Sequence, residues 1–342
     1  MRQLVLDDDN LWGDNRLTDR QTDRQTDRPQ TLREKIDEAK RALKLSADMS
    51  REYYGAPLIV AYSGGKDSDV MLRLVEKTLK PNEYEVMNSH TTVDAPETVY
   101  HIREVFKRLR DSGVKTSIDY HIGENGRPTT MWNLIPTRLM PPTRIVRYCC
   151  TVLKESGTPN RIACLGVREA ESQKRQGREI FGVRGGSYRQ ATFFSLDHAE
   201  EVHRESKEIN DPAWDCTMIK VMKDKGSTTV NPIYHWTDED IWEYARQEDI
   251  KLNPLYGCGY HRVGCIGCPL ANYRTRTKEF NDYPKYKGLY IRAFDKMLDI
   301  RRDRGLDNKC GWKTGEDVFE WWIEEYKHNV KGQMSLSDFM EV

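Results

Sequence analysis

The chain has 342 residues, and its 54 lysines and arginines balance 54 aspartates and glutamates, so no overall charge marks it as a nucleic-acid or membrane binder. No apolar run approaches the ~18 residues of a membrane span, and the N-terminus has no signal-peptide core. We therefore expect a cytoplasmic protein, in which the eight cysteines are unlikely to form structural disulfides.

The N-terminal segment is repetitive and polar. Residues 18–28 read TDRQTDRQTDR, with a period of four that matches no regular packing of helix or strand. A wholly polar segment cannot bury enough surface to offset the entropy of ordering it. We predict that residues 1–30 are a disordered leader.

Ordered structure is expected from residue 31, where Thr31-Leu32-Arg33-Glu34 fits a capping box and opens a helix to about Tyr53. Strands and helices then alternate. In chain order we predict strand 57–61, helix 69–78, strand 84–90, helix 97–112, strand 116–121, strand 161–166 and helix 237–247. This spacing is typical of βαβ units. It predicts an α/β, Rossmann-like fold with a parallel twisted sheet flanked by helices.

Signals are weak between residues 185 and 230, and the tail from residue 281 is basic and helical. We predict one α/β domain over residues 31–270, followed by a helical C-terminal extension over residues 271–342. The cysteines near residue 265 add a cysteine-rich segment to this region.

A glycine-rich loop, Ser63-Gly64-Gly65-Lys66-Asp67-Ser68, lies between the first predicted strand and the next helix. Such a loop offers backbone N–H groups and the positive end of a helix dipole to an anion. It is not a Walker A loop, because Asp67 separates Lys66 from the serine. The sequence favours a phosphate-binding loop of another kind, with an ordinary strand-to-helix turn as the alternative.

The cysteines form an unusual set. Cys149 and Cys150 are adjacent, and Cys265-Ile266-Gly267-Cys268 follows far along the chain. Zinc ligand pairs usually have two to four residues between them, which adjacent cysteines do not. An iron–sulfur cluster, zinc and free thiols remain open on spacing alone. Cys258 is a further thiol close in sequence to the second pair.

Several segments carry a resemblance to a known family. SGGKDS resembles the PP-loop of the ATP pyrophosphatase superfamily, and Thr91–Thr98 (TTVDAPET) resembles a segment of its phosphoadenosine phosphosulfate (PAPS) reductase branch. Acidic capping of a helix is the alternative role for Asp94 and Glu97. Further segments follow in family order at residues 147–154, 166–175, 231–242, 253–256 and 264–269. The resemblance spans about residues 57–270.

The resemblance implies an adenine nucleotide alpha hydrolase-like fold that binds a nucleotide and a [4Fe-4S] cluster. Matching positions imply nucleotide contacts from Ser63, Gly64, Gly65, Lys66, Asp67, Ser68, Asp94, Arg168 and Arg175. They imply cluster ligands at Cys149, Cys150, Cys265 and Cys268. Cys258 would replace one ligand or serve as a sulfur-relay thiol.

Two departures from the family pattern bear on the chemistry. Reductases of this family often have a degraded loop, whereas this one is intact. They also carry a catalytic cysteine in Glu-Cys-Gly-x-His, where this chain has Lys309-Cys310-Gly311-Trp312. We therefore expect an ATP-using sulfurtransferase that requires Mg²⁺ and adenylylates an acceptor. Its candidate catalytic residues are Lys66, Asp67, Cys258 and Cys310.

Two alternatives stay open: a sulfonucleotide reductase that produces sulfite, and a nucleotide-binding component of a regulatory or defence system. The expected partners are ATP or PAPS, a sulfur donor such as a cysteine desulfurase or else thioredoxin, and a nucleic-acid acceptor. No membrane association is expected, and a homo-oligomer is left open.

Overall fold

A computed structural model describes residues 29–123, 126–154, 161–184, 191–208, 217–224, 226–306 and 311–324. The predicted leader lies outside the described residues, apart from its last two positions. Cys216 and Cys310, the latter a candidate nucleophile, also lie outside them.

One mixed sheet organises the described part of the chain. Its seven strands are β1 (Leu58–Ala61), β2 (Tyr84–Ser89), β3 (Lys115–Asp119), β4 (Ile162–Cys164), β5 (Phe181–Arg184), β6 (Thr192–Phe194) and β7 (Ser227–Val230). Their order is β3-β2-β1-β4-β7-β5-β6. The first five in this order run parallel, with Val60 paired to Val86 on one side and to Cys164 on the other.

Helices flank the sheet and continue beyond it. They are α1 (Leu32–Tyr54), α2 (Lys66–Thr78), α3 (Pro96–Asp111), α4 (Met131–Arg138), α5 (Tyr148–Leu153), α6 (Leu196–Glu208), α7 (Thr217–Lys223), α8 (Asp238–Gln247), α9 (Tyr273–Asp282), α10 (Pro284–Asp303) and α11 (Gly315–Glu324). The predicted α/β class and the helical C-terminal region are confirmed.

The prediction of a parallel sheet is wrong at one edge. β5 runs antiparallel to both β7 and β6. β6 and β7 lie within residues 185–230, where the sequence signals are weak, and β5 ends directly before that region. β5 and β6 are short, and β6 is half-buried, so neither shows a long apolar run or a clean alternation.

Two apolar cores divide the buried side chains. One lies against the sheet, where β1 is buried on both faces, as expected for a central parallel strand. The second joins the C-terminal helices to α4 and α5, and Trp322 donates a hydrogen bond to the Pro142 carbonyl over 2.7 Å. The C-terminal helices thus pack against the segment that carries Cys149 and Cys150. The boundary at residue 270 stays a prediction.

Within the described ranges, none of the helices combines the length and apolar character that crossing a membrane requires.

Candidate functional site

The glycine loop lies where β1 ends and α2 begins. α2 starts at Lys66, earlier than the predicted residue 69, so half of the loop forms the first turn of the helix. The Ser68 hydroxyl accepts from the Gly65 N–H at 3.1 Å and donates to the Gly65 carbonyl at 2.8 Å. It also lies 3.2 Å from the Ser63 hydroxyl. The predicted loop residues are therefore together at the positive end of a helix dipole.

Gly64 is required by both conformation and space. Its φ is +73°, and an added Cβ would lie 2.9 Å from Ile102 Cγ1. We expect Gly64→Ala to lower the free energy of unfolding by roughly 2–4 kcal/mol, because left-handed backbone strain and overpacking add. Gly113→Ala is the matched control, since its φ is +83° and nothing lies within 4 Å. Denaturant titration of both variants checks this, and equal losses would contradict the packing argument.

Lys66 sits at the centre of a charged network. Only 7% exposed, it places Nζ 3.1 Å from Asp67 Oδ1 and 3.0 Å from Asp238 Oδ1. Arg168 grips the same two carboxylates, with Nε 2.6 Å from Asp67 Oδ1 and Nη2 2.8 Å from Asp238 Oδ1. Two cations and two carboxylates thus balance one another beside the loop.

The network orders its own members. The hydrogen bond and charge of Lys66, with a smaller effect of Arg168, hold the pKa of Asp238 below its usual value. Arg168 is 2% exposed and also donates to the Trp236 carbonyl at 3.2 Å. In this arrangement Arg168 positions Asp67. Its role as a nucleotide ligand stays a prediction.

A single segment, residues 253–268, ties the loop to the cysteines. The Asn253 amide donates to the Gly64 carbonyl at 2.9 Å, and the Tyr256 hydroxyl accepts from the Lys66 N–H at the same distance. The same segment then carries Cys265 and Cys268. The chain therefore joins the glycine loop to two of the predicted cluster ligands within about 16 residues.

The four predicted cluster ligands influence one another electrostatically. A hydrogen bond with Cys150 and burial raise the pKa of Cys149, and Cys265 and Cys268 raise it further. Burial raises the pKa of Cys265 to about 11, against the opposing effect of the Lys154 ammonium. The fold thus brings two distant cysteine pairs into one neighbourhood.

Asp94 belongs to the cysteine end of the site. Its carboxylate accepts from the Thr91 hydroxyl at 2.8 Å, and its backbone pairs with Cys265. Cys265 and Asp94 together raise the pKa of Lys154. The charge of Lys154 is therefore influenced by the thiol of Cys265 and by the Asp94 carboxylate.

No three His, Cys, Asp or Glu side chains of the described residues are arranged to hold a single metal ion. A four-iron cluster requires a different arrangement of ligands from a single metal ion, because each of its four thiolates contacts a different iron. Four thiols that influence one another electrostatically, together with the Lys154 ammonium, are ligands of the chemical type that such a cluster requires. The cluster stays a proposal.

The remaining candidates are more dispersed. Arg175 is half-buried and pairs with Glu171, while burial and the guanidinium groups of Arg262, Arg178 and Arg168 lower its pKa. Cys258 is exposed at the end of a short 3₁₀ turn. Cys258 is therefore accessible, as a relay thiol would have to be.

Sequence reasoning missed several residues around the site. Asp238 follows the Trp236-Thr237 cap of α8, and Tyr256 ends an Asn-Pro-Leu-Tyr segment, so both stood within noticed motifs. Glu279 gave no signal, yet it is buried and accepts from the Gly267 N–H at 2.7 Å. Burial raises the pKa of Glu279 to about 7.

A buried polar cluster also lies at the base of α2. Asp69 accepts a hydrogen bond from the Tyr62 hydroxyl and lies 3.0 Å from His101 Nε2. All three side chains are almost fully buried. The cluster fixes the first turn of α2 against β1 and α3 and so supports the loop from below.

Comparison with known proteins agrees with this architecture. A curated but uncharacterized protein of Methanocaldococcus jannaschii is 26% identical over 79% of this chain, although the match spans only 45% of that protein. The adenosine 5'-phosphosulfate reductase of Anoxybacillus flavithermus is 22% identical over 70% of this chain and 83% of the relative. Sulfate adenylyltransferase subunit 2 of Shewanella amazonensis is 26% identical over 60% of this chain and 62% of the relative.

Both named relatives are enzymes, and the loop, the paired cysteines and the parallel strands all lie within the region that a family model covers. The model for the phosphoadenosine phosphosulfate reductase domain matches residues 57–271. The match extends over more than half of the sequence, and the chain therefore belongs to the phosphoadenosine phosphosulfate reductase domain family.

Proposed function

We propose that the protein is an ATP-dependent sulfurtransferase. The observation that carries this proposal is the segment 253–268, which contacts the intact loop at Gly64 and Lys66 and continues into Cys265 and Cys268. A protein that only binds nucleotides has no need for thiols at the end of such a segment.

The loop would bind the phosphates of ATP. The dipole of α2, the serine hydroxyls and the Lys66 ammonium offer positive charge where a β- and γ-phosphate would lie. Asp67 and Asp238 are the carboxylates available to Mg²⁺, which prefers oxygen ligands and bridges phosphates. Cleavage between the α- and β-phosphates would then release pyrophosphate.

The reaction is balanced in two steps. An acceptor oxygen attacks the α-phosphorus of ATP, the bond to the β-phosphate oxygen breaks, and pyrophosphate leaves. A sulfide, supplied by a donor, then attacks the acceptor atom that bears the adenylate. AMP departs with the former acceptor oxygen, and these two steps, starting from sulfide, consume no reductant.

The four cysteines would hold a [4Fe-4S] cluster. Such a cluster would supply a site at which inorganic sulfide is held. This chain would contribute the Lys154 ammonium near the thiols and the accessible Cys258, which would carry sulfur from a donor protein as a persulfide. A thiol of a partner would attack the Cys258 sulfur of that persulfide, form a disulfide with it and release the outer sulfur as sulfide, and a thiol reductant such as thioredoxin would then restore Cys258. Lys66 would stay with the leaving pyrophosphate.

A sulfonucleotide reductase is the second candidate, supported by the name of the relative of which this chain covers 83%. Such a reaction would reduce the sulfur of a bound nucleotide to sulfite with electrons from a thiol partner. It makes no use of the charge that Lys66 and α2 offer to a polyphosphate.

A substrate choice tests the proposal. Protein purified without oxygen is given ATP with Mg²⁺ in one reaction and PAPS with reduced thioredoxin in another. We expect pyrophosphate and AMP from ATP, stimulated by the acceptor, and little sulfite from PAPS. Sulfite formation from PAPS without ATP cleavage under any acceptor would establish the reductase instead.

A further inference from the structure

A cleft of about 550 Å³ lies beside the proposed active site and is lined by basic side chains. They come from three separate parts of the chain, and among the described residues no acidic side chain lines the cleft. The basic residues are Arg144, His261, Arg262, Arg274 and Lys278. The overall charge of the chain is balanced, so this concentration is local.

The positive charge of the cleft is only partly neutralised. Lys278 pairs with Asp282 at 2.6 Å and lies over the Tyr260 ring. For Arg262 and Arg274, the described residues provide no ion-pair partner. Arg262 acts electrostatically on the buried Glu279 carboxyl and on Arg175, which pairs with Glu171 and also lies among other guanidinium groups. An anion would relieve this repulsion.

The cleft is placed between the two halves of the site. It shares Tyr260 and His261 with a second cavity of about 580 Å³, which is lined by Lys66, Asp238 and Tyr256. At its other side, Arg144 donates to the Pro269 carbonyl at 3.2 Å, directly after Cys268. A ligand in the cleft would therefore lie next to both the loop and the thiols.

We propose that this basic cleft binds the phosphodiester backbone of a single-stranded nucleic acid, the acceptor of the reaction. Guanidinium groups match phosphate oxygens with paired hydrogen bonds, and the N-terminal turn of α9, with Asn272 and Thr275, lines the same wall. The role of the nucleic acid as acceptor rests on the proposed function. Its binding in the cleft does not depend on that function.

The shape of the cleft favours a single strand. A cavity of this volume takes a ligand of drug-like size, which one or two nucleotides of a splayed strand satisfy and a duplex does not. A flat anionic bilayer cannot reach side chains inside a concave site. RNA and DNA share the backbone chemistry, so the test separates them.

The test measures binding without ATP. Labelled single-stranded RNA and DNA of about twenty nucleotides are titrated with the full chain by fluorescence anisotropy, between about 50 and about 200 mM salt. The test variant is Arg262→Ala/Arg274→Ala. The control is Arg103→Ala/Lys107→Ala, which removes the same charge from two exposed positions on α3. Melting temperatures report folding.

We expect the wild type and the control to bind at least one of the two strands with similar affinity. The test variant should bind roughly tenfold more weakly for each lost contact, with a salt slope smaller by about 1.4. No binding, equal weakening in the control, or equal competition by polyglutamate would overturn the inference. Strand binding without any ATP cleavage would instead remove the proposed function and leave the cleft assignment standing.

Discussion

Replacing Lys66 by alanine is expected to lower ATP-to-AMP turnover by roughly two orders of magnitude or more, because one well-placed charge on a departing group contributes on the order of 3–4 kcal/mol. The Lys66 ammonium is buried between Asp67 and Asp238 at the start of α2. Its removal leaves the two carboxylates with Arg168 alone, which makes the site more repulsive to phosphate. Release of pyrophosphate with saturating Mg²⁺ measures the effect.

Lys77→Ala is the matched control, since Lys77 belongs to the same helix but pairs with Glu248 away from the loop. The control is expected to keep full turnover. The Lys66 variant should keep its iron and most of its thermal stability, which separates a catalytic loss from unfolding. Unchanged turnover in Lys66→Ala would exclude a direct role of this loop in ATP cleavage.

Replacing Cys265 by serine is expected to remove most of the iron from protein prepared without oxygen. Lys154 and Cys268 both act electrostatically on the Cys265 thiol, and a serine hydroxyl is a poor substitute for a thiolate on iron. The unaltered protein should be brown and contain about four iron atoms per chain. Metal analysis and visible absorbance measure both properties.

Cys164→Ser provides the control, because Cys164 is fully buried in β4 against Met71 and belongs to neither cysteine pair. It should keep its iron even if its stability falls. Colourless protein with stoichiometric zinc would contradict the cluster, and iron retained in Cys265→Ser would exclude that residue as a ligand.

Much of the fold was predictable because its signals are local. β1, α2, β2, α3 and β3 follow one another with clear apolar runs and turns, and their bounds differ from the predicted ones by a few residues. β5 and β6 were missed because a short antiparallel edge depends on pairing with β7, which no local pattern records. The glycine loop and α2 were recognisable because glycines and helix-capping residues determine the backbone conformation of the few residues next to them.

The contacts of the site were harder to predict than its residues. Lys66 was identified, but its partner Asp238 lies on another helix, and only the tertiary fold brings the two together. The proximity of the two cysteine pairs was inferred through family likeness alone. No sequence motif identifies Glu279, because its buried hydrogen bond with the Gly267 N–H depends on the tertiary fold.

The hydrogen bonds of Asn253 and Tyr256 to the glycine loop have a thermodynamic consequence. Because the segment that carries Cys265 also fixes the backbone at Gly64 and Lys66, ordering one end lowers the conformational entropy that remains to be lost at the other. Occupancy of the two ends is then linked, and the linkage is reciprocal. Under the proposed function, whatever factor a filled thiol site would add to the affinity for ATP, bound ATP would add to retention of the group held by the thiols.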